Sequence, residues 1–441
     1  MTVGRFLLPS GVDTVAGPLL VGRALRAFSD GYVAVLLPAY LLALGFDQLD
    51  VGLLSTATLA GSALATLAVG TIGHRWSQHA LLVGAALLML ATGLGFASVT
   101  AFWPLLVVAF VGTINPGSGD VSVFLPLEHA LLARAARGDA RTALFARYSL
   151  TGSLMSAFGA LASGVPAWLM KFADIPPLVG MRAMFVLYAL IGALIWVLYR
   201  RLPRGDGAAM REAAPLGPSR GVVYKLAALF SIDAFAGGLV VNSLMTLWLF
   251  ERFGLSLAQA GVFFFWAGLL SAFSQLMAPV VARRIGLLNT MVFTHIPANA
   301  FLIFAALAPN LPLALGLLLA RAALSQMDVP TRTAFVMAVV TPAERAAAAS
   351  VTAVPRSLAA AASPTLAGAL LATGMLSLPL VLCGAMKIAY DLSLLVCFRR
   401  LKPPGKARGY QTSLGKPQGC QAGAAGIELA TPGFGDRCSA N

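Results

Sequence analysis

Charged residues are scarce in this chain of 441 residues, since Asp, Glu, Lys and Arg together make up only 11% of it. Water-soluble globular proteins carry about 25%. Hydrophobic residues make up 59%, and the mean hydropathy is +0.83. This composition excludes an ordinary soluble globule, and we expect an integral membrane protein whose surroundings are the lipid bilayer.

Acidic residues are fewer than basic ones, 17 against 31, which leaves a net charge of +14. In a soluble protein this excess would suggest binding to nucleic acid. Here the Lys and Arg residues lie mainly in short connections between apolar segments, where they set membrane topology. We therefore expect no nucleic-acid partner.

Signatures of catalysis and of cofactor binding are also lacking. The four cysteines have neither metal-ligand spacing nor the pattern of a secreted disulfide framework. The sequence contains no Gly-rich run ending in Gly-Lys-Ser/Thr and no His-Glu-x-x-His element. We expect no ATP-driven pump, no enzyme, no cofactor and no metal site.

Long apolar segments make up most of what remains. A spanning helix needs about 20 mostly apolar residues, and the chain supplies roughly twelve such windows. The sequence predicts an all-α integral membrane fold with twelve transmembrane helices in two six-helix, pseudo-symmetric lobes. The expected units are an N-terminal lobe at 1–199, a cytoplasmic inter-lobe loop at 200–222, a C-terminal lobe at 223–398 and a disordered cytoplasmic tail at 399–441.

Basic residues fall in every second connection, whereas the alternate loops contain almost none. By the positive-inside rule, both termini and the inter-lobe loop are expected to be cytoplasmic. The expected location is a cell membrane, the bacterial inner membrane, which the chain crosses many times.

Three pairs of landmarks repeat at nearly constant spacing. They are Gly52 and Gly261, Arg75 and Arg284, and Asp120 and Asp328. The offsets are 261 − 52 = 209, 284 − 75 = 209 and 328 − 120 = 208 positions. Two repeated units of parallel topology are typical of a two-lobed secondary transporter.

The connection between the second and third windows reads Gly70-Thr-Ile-Gly-His74-Arg75-Trp-Ser-Gln-His. Together with the repeat and the topology, it resembles the signature loop of the major facilitator superfamily of transporters, and the resemblance covers about the first 400 residues. Gly70 and Arg75 match, but His74 stands where the family usually has Asp. The resemblance implies a state-locking, or gating, role for these residues and for Arg283 and Arg284 in the matching loop.

Aspartates interrupt four of the apolar windows, at Asp30, Asp120, Asp233 and Asp328. A charge at the bilayer centre costs about 3 kcal/mol, so these positions indicate a polar interior. The resemblance implies that their helices line one central cavity, where the carboxylates would bind protons or substrate. The alternative is that each aspartate pairs with an arginine and holds helices together.

Basic side chains are available as partners. Arg26 precedes Asp30 by four positions, so the two are expected to share a helix face and to neutralise each other. Arg321 and Arg356 lie inside the tenth and eleventh windows. Each could hold an anionic substrate through its planar donor fork or lower the cost of a neighbouring aspartate.

Three further positions carry expectations. Asn115 begins the run Asn-Pro-Gly-Ser-Gly, which predicts a broken helix that either contacts substrate or lets two helices approach closely. Lys387 and Asp391 are expected to form a structural pair four residues apart. Arg332 is expected to extend towards the membrane interface.

These observations predict a monomeric secondary transporter that alternates access by rocking its lobes about a central site. The preferred function is proton-coupled export (efflux) of a small molecule, as in an antiporter. Glycines and Gly164-Val-Pro166 in the fifth window resemble a motif of proton-coupled drug exporters, which favours export. An importer of a metabolite, proton-coupled or facilitated, fits the same residues. A non-transporting sensor or scaffold with a transporter fold is the more distant alternative.

Overall fold

The structure is a computed structural model that describes residues 12–117, 122–136, 138–203, 216–341 and 344–399. Asp120, residues 204–215 of the inter-lobe loop and the tail from residue 400 lie outside these ranges. In the part that is described, the chain is helical and contains no β-strand. The all-α prediction is confirmed.

The described part of the first half contains eight α-helices. They are α1 (Ala16–Ala43), α2 (Gln48–Ile72), α3 (Gln78–Ser98), α4 (Phe102–Val111), α5 (Phe124–Ala135), α6 (Gly138–Ala162), α7 (Val165–Ala173) and α8 (Pro177–Tyr199). We call this half the N-lobe.

The second half, called the C-lobe, contains nine α-helices in its described part. They are α9 (Arg220–Gly238), α10 (Asn242–Phe253), α11 (Leu257–Ile285), α12 (Leu287–Ala306), α13 (Leu311–Ser325), α14 (Asp328–Val339), α15 (Arg345–Ala362), α16 (Pro364–Ala372) and α17 (Leu378–Phe398).

Within the described ranges, ten helices or consecutive helix pairs are long and apolar enough to cross a membrane. The pairs α6 with α7, α9 with α10 and α13 with α14 each count as one span. The expected fourth span is split into α4 and α5, and the expected eleventh into α15 and α16. A multi-pass membrane fold is therefore established, whereas twelve spans remain a prediction.

The repeat between the halves reappears in the stereochemistry of the chain. Gly45 and Gly254, 254 − 45 = 209 positions apart, have φ of +89° and +63°, a region that favours glycine. Two residues later, Asp47 caps α2 and Ser256 caps α11, each within a reciprocal capping box. The same turn chemistry therefore starts the second helix of each lobe.

Glycines allow helices within the N-lobe to approach closely. A Cβ atom on Gly31 of α1 would lie 2.1 Å from a backbone oxygen of α6, and one on Gly159 of α6 would lie 2.0 Å from a backbone oxygen of α1. Gly93 and Gly192 play the same part between α3 and α8, at 2.6 and 2.7 Å from backbone nitrogens. Larger residues would force these helices apart.

The two lobes meet near the end of the molecule formed by loops 44–47 and 254–256, which we call the far end. Gly52 of α2 faces Gly368 of α16 so closely that a Cβ on Gly52 would lie 3.0 Å from the Cα of Gly368. Hydrogen bonds join the lobes in the same half, between Thr56 and Thr365 (2.8 Å), Gln48 and Glu251 (3.0 Å), and Ser55 and Ser243 (3.1 Å). The opposite end, where α1 begins, is called the terminal end.

Glu344 anchors the last part of the inter-lobe loop at the terminal end. Its carboxylate accepts hydrogen bonds from the hydroxyl of Thr341 (2.6 Å), the hydroxyl of Ser219 (2.7 Å) and the backbone N–H of Gly217 (2.5 Å). These bonds stabilise the ionised form and lower the pKa of Glu344 to about 2. The start of α9 is thereby tied to the start of α15.

Candidate functional site

A buried carboxylate joins four helices of the N-lobe. Glu128 of α5 is fully buried and accepts hydrogen bonds from the guanidinium of Arg26 on α1 and from the hydroxyls of Tyr148 on α6 and Tyr199 on α8. The Arg26 guanidinium also lies 4.1 Å from the ring centre of Phe124. We call Arg26, Glu128, Tyr148 and Tyr199 the N-lobe cluster.

The partner of Arg26 corrects one expectation. The sequence predicted that Arg26 and Asp30 neutralise each other, but the carboxylate that Arg26 contacts is Glu128. Asp30 is half-buried one turn further along α1 and lies within electrostatic range of Arg26, Tyr32 and Tyr188. The sequence prediction did not include Glu128. Glu128 is a second carboxylate in the interrupted fourth window, and this position is a signal that could have identified it.

A second network of charges lies in the C-lobe. Asp233 of α9 accepts from Lys387 of α17 at 2.5 Å through one oxygen and from Arg332 of α14 at 3.2 Å through the other. Arg332 also donates to Asp328, four residues earlier on α14, at 2.5 Å. We call Asp233, Asp328, Arg332 and Lys387 the C-lobe cluster.

Two expectations about this region were wrong. Arg332 is buried between two aspartates and does not extend to the interface. The helix breaks just before Asp328, so Arg332 lies in the first turns of α14, well inside the span. Lys387 contacts Asp233 on another helix, and not Asp391.

Asp391 has a different partner, which the sequence did not indicate. Its carboxylate lies 3.0 Å from Nδ1 of His295 on α12, and both side chains are buried. The amide of Asn299 donates to the backbone oxygen of His295 at 2.9 Å. No sequence pattern indicates this pair, because the two residues are 96 positions apart in the chain.

Arg321 and Arg356 have fewer hydrogen-bond and ion-pair partners than the cations of the two clusters. Neither forms a hydrogen bond or ion pair with any residue in the ranges that the structure covers, and Nε of Arg321 is buried without a partner. Arg356 is solvent-accessible and lies within electrostatic range of Arg332, Asp233 and Asp328. Both arginines can therefore accept an additional anion.

The predicted break in the fourth span is confirmed, since α4 ends at Val111 and α5 begins at Phe124. Asn115 is buried there, and its side-chain oxygen accepts from the N–H of Gly117 at 3.0 Å. The backbone oxygen of Pro116 accepts from the N–H of Ser243 in the other lobe at 3.0 Å. The break therefore contributes to the contact between the lobes.

A cavity of about 230 Å³ lies beside this break. It is lined by residues of α2, α3 and the flanks of the break, among them Ser62, Leu81, Gly112 and Thr113. Its walls are mostly apolar, and neither cluster contributes a residue to it. It is not a candidate for charged substrate.

The residues assigned a gating role lie at the terminal end. Arg75, Arg283 and Arg284 are exposed, and none forms an ion pair with another residue that the structure describes. A Cβ on Gly70 would meet open space. The side chain of His74 lies outside the described part.

The structure brings together two of the four predicted aspartates, Asp233 and Asp328, through their shared Arg332. Asp30 belongs to the surroundings of the N-lobe cluster, and Asp120 is outside the described residues. Each lobe thus contains one cluster of buried charged side chains in the part that is described. Their convergence on a single chamber remains a prediction.

Comparison with known protein families identifies the family of this chain. Residues 19–325, well over half of the chain, match the family model of the Major Facilitator Superfamily. The chain belongs to this superfamily. Its helical, multi-pass membrane fold is therefore that of a superfamily transporter.

Individual relatives agree with this assignment. The chain is 26% identical over 410 residues to an uncharacterized membrane protein of Saccharomyces cerevisiae, covering 85% of this chain and 92% of the yeast protein. Its fold is similar to the crystal structure of the nucleoside transporter NupG, with a TM-score of 0.66, 16% identity and coverage of 88% and 100%. It is also similar to a D-xylose-proton symporter, with a TM-score of 0.67, 15% identity and coverage of 86% and 96%. The superfamily fold is that of a secondary transporter in a multi-pass membrane protein.

Proposed function

We propose that this protein is a proton-coupled exporter of a small molecule that works by alternating access. The observation that carries the proposal is Asp233, a titratable carboxylate held by cations from two other helices in the middle of the C-lobe. An ionisable residue inside a membrane span is costly, and such residues mark substrate and ion pathways. The proton is therefore assigned first to Asp233, with Asp328, Asp30 and Asp120 as further acceptors.

The proposed coupling follows from the contacts of Asp233. As an anion it binds Lys387 and Arg332 at once, which holds α9, α14 and α17 together. Protonation removes its charge and weakens both contacts, so the three helices are free to shift. A carboxylate changes its proton affinity when its hydration or its cationic neighbours change, and opening of the lobes to either side changes both.

The closed far end supports an assignment of the conformation. If the basic loops face the cytoplasm, the terminal end is cytoplasmic and the far end is outside. The contacts of Gly52 with Gly368 and of Thr56 with Thr365 then close the outer side. In this arrangement a molecule in the cytoplasm would reach the clusters first, as export requires. The proposed protein acts as a monomer in a bacterial inner membrane.

Transport into and out of proteoliposomes with an imposed pH gradient tests the proposal. Substrates for the assay come from a growth screen of a deletion strain against toxic compounds and sole nutrients. We expect uptake against a gradient of substrate when the proton gradient favours exchange, and loss of that uptake in the Asp233→Asn variant. Lys225→Gln, which removes an exposed charge in the first turns of α9, is the matched control.

Four results would contradict the proposal. Transport that ignores the pH gradient, or that survives Asp→Asn changes at all four aspartates, removes proton coupling. Accumulation in the inward direction by cells would replace export with import. A folded protein that moves no compound in any assay would favour the sensor or scaffold alternative.

A further inference from the structure

Positive charge exceeds negative charge in the interior of the C-lobe. The interior cations are Arg321, Arg332, Arg356 and Lys387. Asp233 lies close to the last three and Asp328 to Arg332 and Arg356, whereas Arg321 lies near Cys383. Their charges leave an excess of 4 − 2 = 2 positive charges. The pair of His295 and Asp391 adds zero or −1, depending on whether the imidazole is protonated. The excess is therefore one or two positive charges.

The existing carboxylates do not offset this excess. Both oxygens of Asp233 are occupied, one by Lys387 and the other by Arg332. Asp328 binds the second branch of the same Arg332 guanidinium. These contacts leave Arg356 without a carboxylate in hydrogen-bonding distance among the described residues.

Arg356 is placed to meet a molecule that enters from the terminal end. It lies 356 − 345 = 11 residues into α15, which is about 16 Å along the helix from its first residue. The side chain is accessible to solvent, and its strongest electrostatic interaction is repulsion by Arg332. A guanidinium repelled by a neighbouring cation is stabilised by an anion that binds next to it.

Arg321 gives a second, independent observation. Its Nε is buried and has no hydrogen-bond partner among the described residues. It lies within electrostatic range of Cys383, one helical turn before Lys387 on α17. A buried donor without an acceptor is costly, so an anion that accepts a hydrogen bond from Arg321 would stabilise the protein.

We propose that the cargo of this transporter is a small organic anion whose carboxylate, sulfonate or phosphate group binds Arg356, with Arg321 deeper in the same lobe adding to the attraction. The planar fork of arginine matches the two oxygens of such a group through paired N–H donors. The identity of the cargo rests on the proposed transport function, whereas binding of the anion does not.

Equilibrium binding to the purified full-length protein in detergent tests this proposal without any membrane gradient. The probes are benzoate, benzamide and benzamidine, which have nearly the same shape and carry negative, zero and positive charge. Unfolding temperature is measured against probe concentration at constant ionic strength. We expect benzoate to raise the unfolding temperature with a saturable midpoint, and benzamide and benzamidine to leave it unchanged.

Variants locate the site. Arg356→Gln is expected to weaken the benzoate midpoint by about tenfold or more, the loss typical of a charge-assisted hydrogen bond, and Arg356→Lys to recover only part of it because the fork is absent. Since Arg356 forms no hydrogen bond or ion pair in the described part, neither variant should lower the unfolding temperature of the unliganded protein. Lys225→Gln, with the same loss of charge elsewhere, should bind benzoate normally.

The outcomes separate this inference from the proposed function. Equal responses to all three probes, or an unchanged benzoate midpoint in Arg356→Gln, would overturn the anion site even if proton-coupled transport of another compound were found. Benzoate binding that depends on Arg356 supports the site, and it would do so even if transport proved indifferent to a pH gradient.

Discussion

Replacing Gly52 by Ala should open the far end of the protein. Gly52 of α2 packs against α16, where an added Cβ would lie 2.7 Å from the backbone oxygen of Pro364 and 3.0 Å from the Cα of Gly368. Both are backbone atoms, which cannot rotate away as a flexible side chain would. The two helices must therefore separate, and they belong to different lobes.

The expected size of the effect follows from the cost of overpacking, about 1–3 kcal/mol. This penalty applies only to the state in which the far end is closed. The equilibrium between closed and open far ends should thus shift by roughly 5- to 150-fold.

Pulsed electron resonance between spin labels on Ala43→Cys and Thr373→Cys measures the shift, in a background without native cysteines. Both residues are exposed at the far end and belong to opposite lobes. We expect Gly52→Ala to add a population at longer distance. Gly316→Ala is the control, because a Cβ there meets open space. A folded Gly52→Ala protein with the distances of the parent would refute the assigned lobe contact.

Three further predictions concern the charged residues. Glu128→Gln removes the counter-charge of buried Arg26 and should destabilise the protein by about 3–5 kcal/mol, and a midpoint of thermal unfolding within a degree of the parent would contradict this. Lys387→Met should destabilise the protein because Asp233 keeps only its contact with Arg332, while adding Asp233→Asn should recover part of the loss. Additive losses would show that the two residues do not interact. For Glu344, whose pKa is lowered from 4.5 to about 2, the native state favours the ionised form, so its stabilising contribution is complete above pH 4.5 and is lost as the pH falls from there towards 2. The difference in unfolding temperature between the parent and Glu344→Gln should shrink over that range, and a difference independent of pH would contradict the assignment.

The general architecture could be predicted from the sequence because it depends on patterns that one sequence shows directly. Apolar windows of membrane length and one repeated spacing led to an all-α, two-lobed transporter. The spacing is visible in the structure at Asp47 and Ser256, which cap equivalent helices. Proline and glycine after Asn115 correctly predicted the break between α4 and α5.

The charged sites were harder because their partners are distant in the chain. Asp233 and Lys387 are 154 residues apart, and His295 and Asp391 are 96 apart, so only helix packing decides these pairs. A spacing of four residues along a helix did not reliably predict which charged residues form pairs. It predicted a pair between Lys387 and Asp391 that does not form, and it went unused for Asp328 and Arg332, which do pair.

Measuring proton movement directly gives the strongest test of coupled transport. Proteoliposomes receive a downhill gradient of a substrate with no initial pH difference, and internal pH is followed with a trapped dye. The proposed mechanism predicts that substrate flow drives a counter-flow of protons, and that Asp233→Asn abolishes the pH change. Substrate flow with no change in internal pH would contradict it.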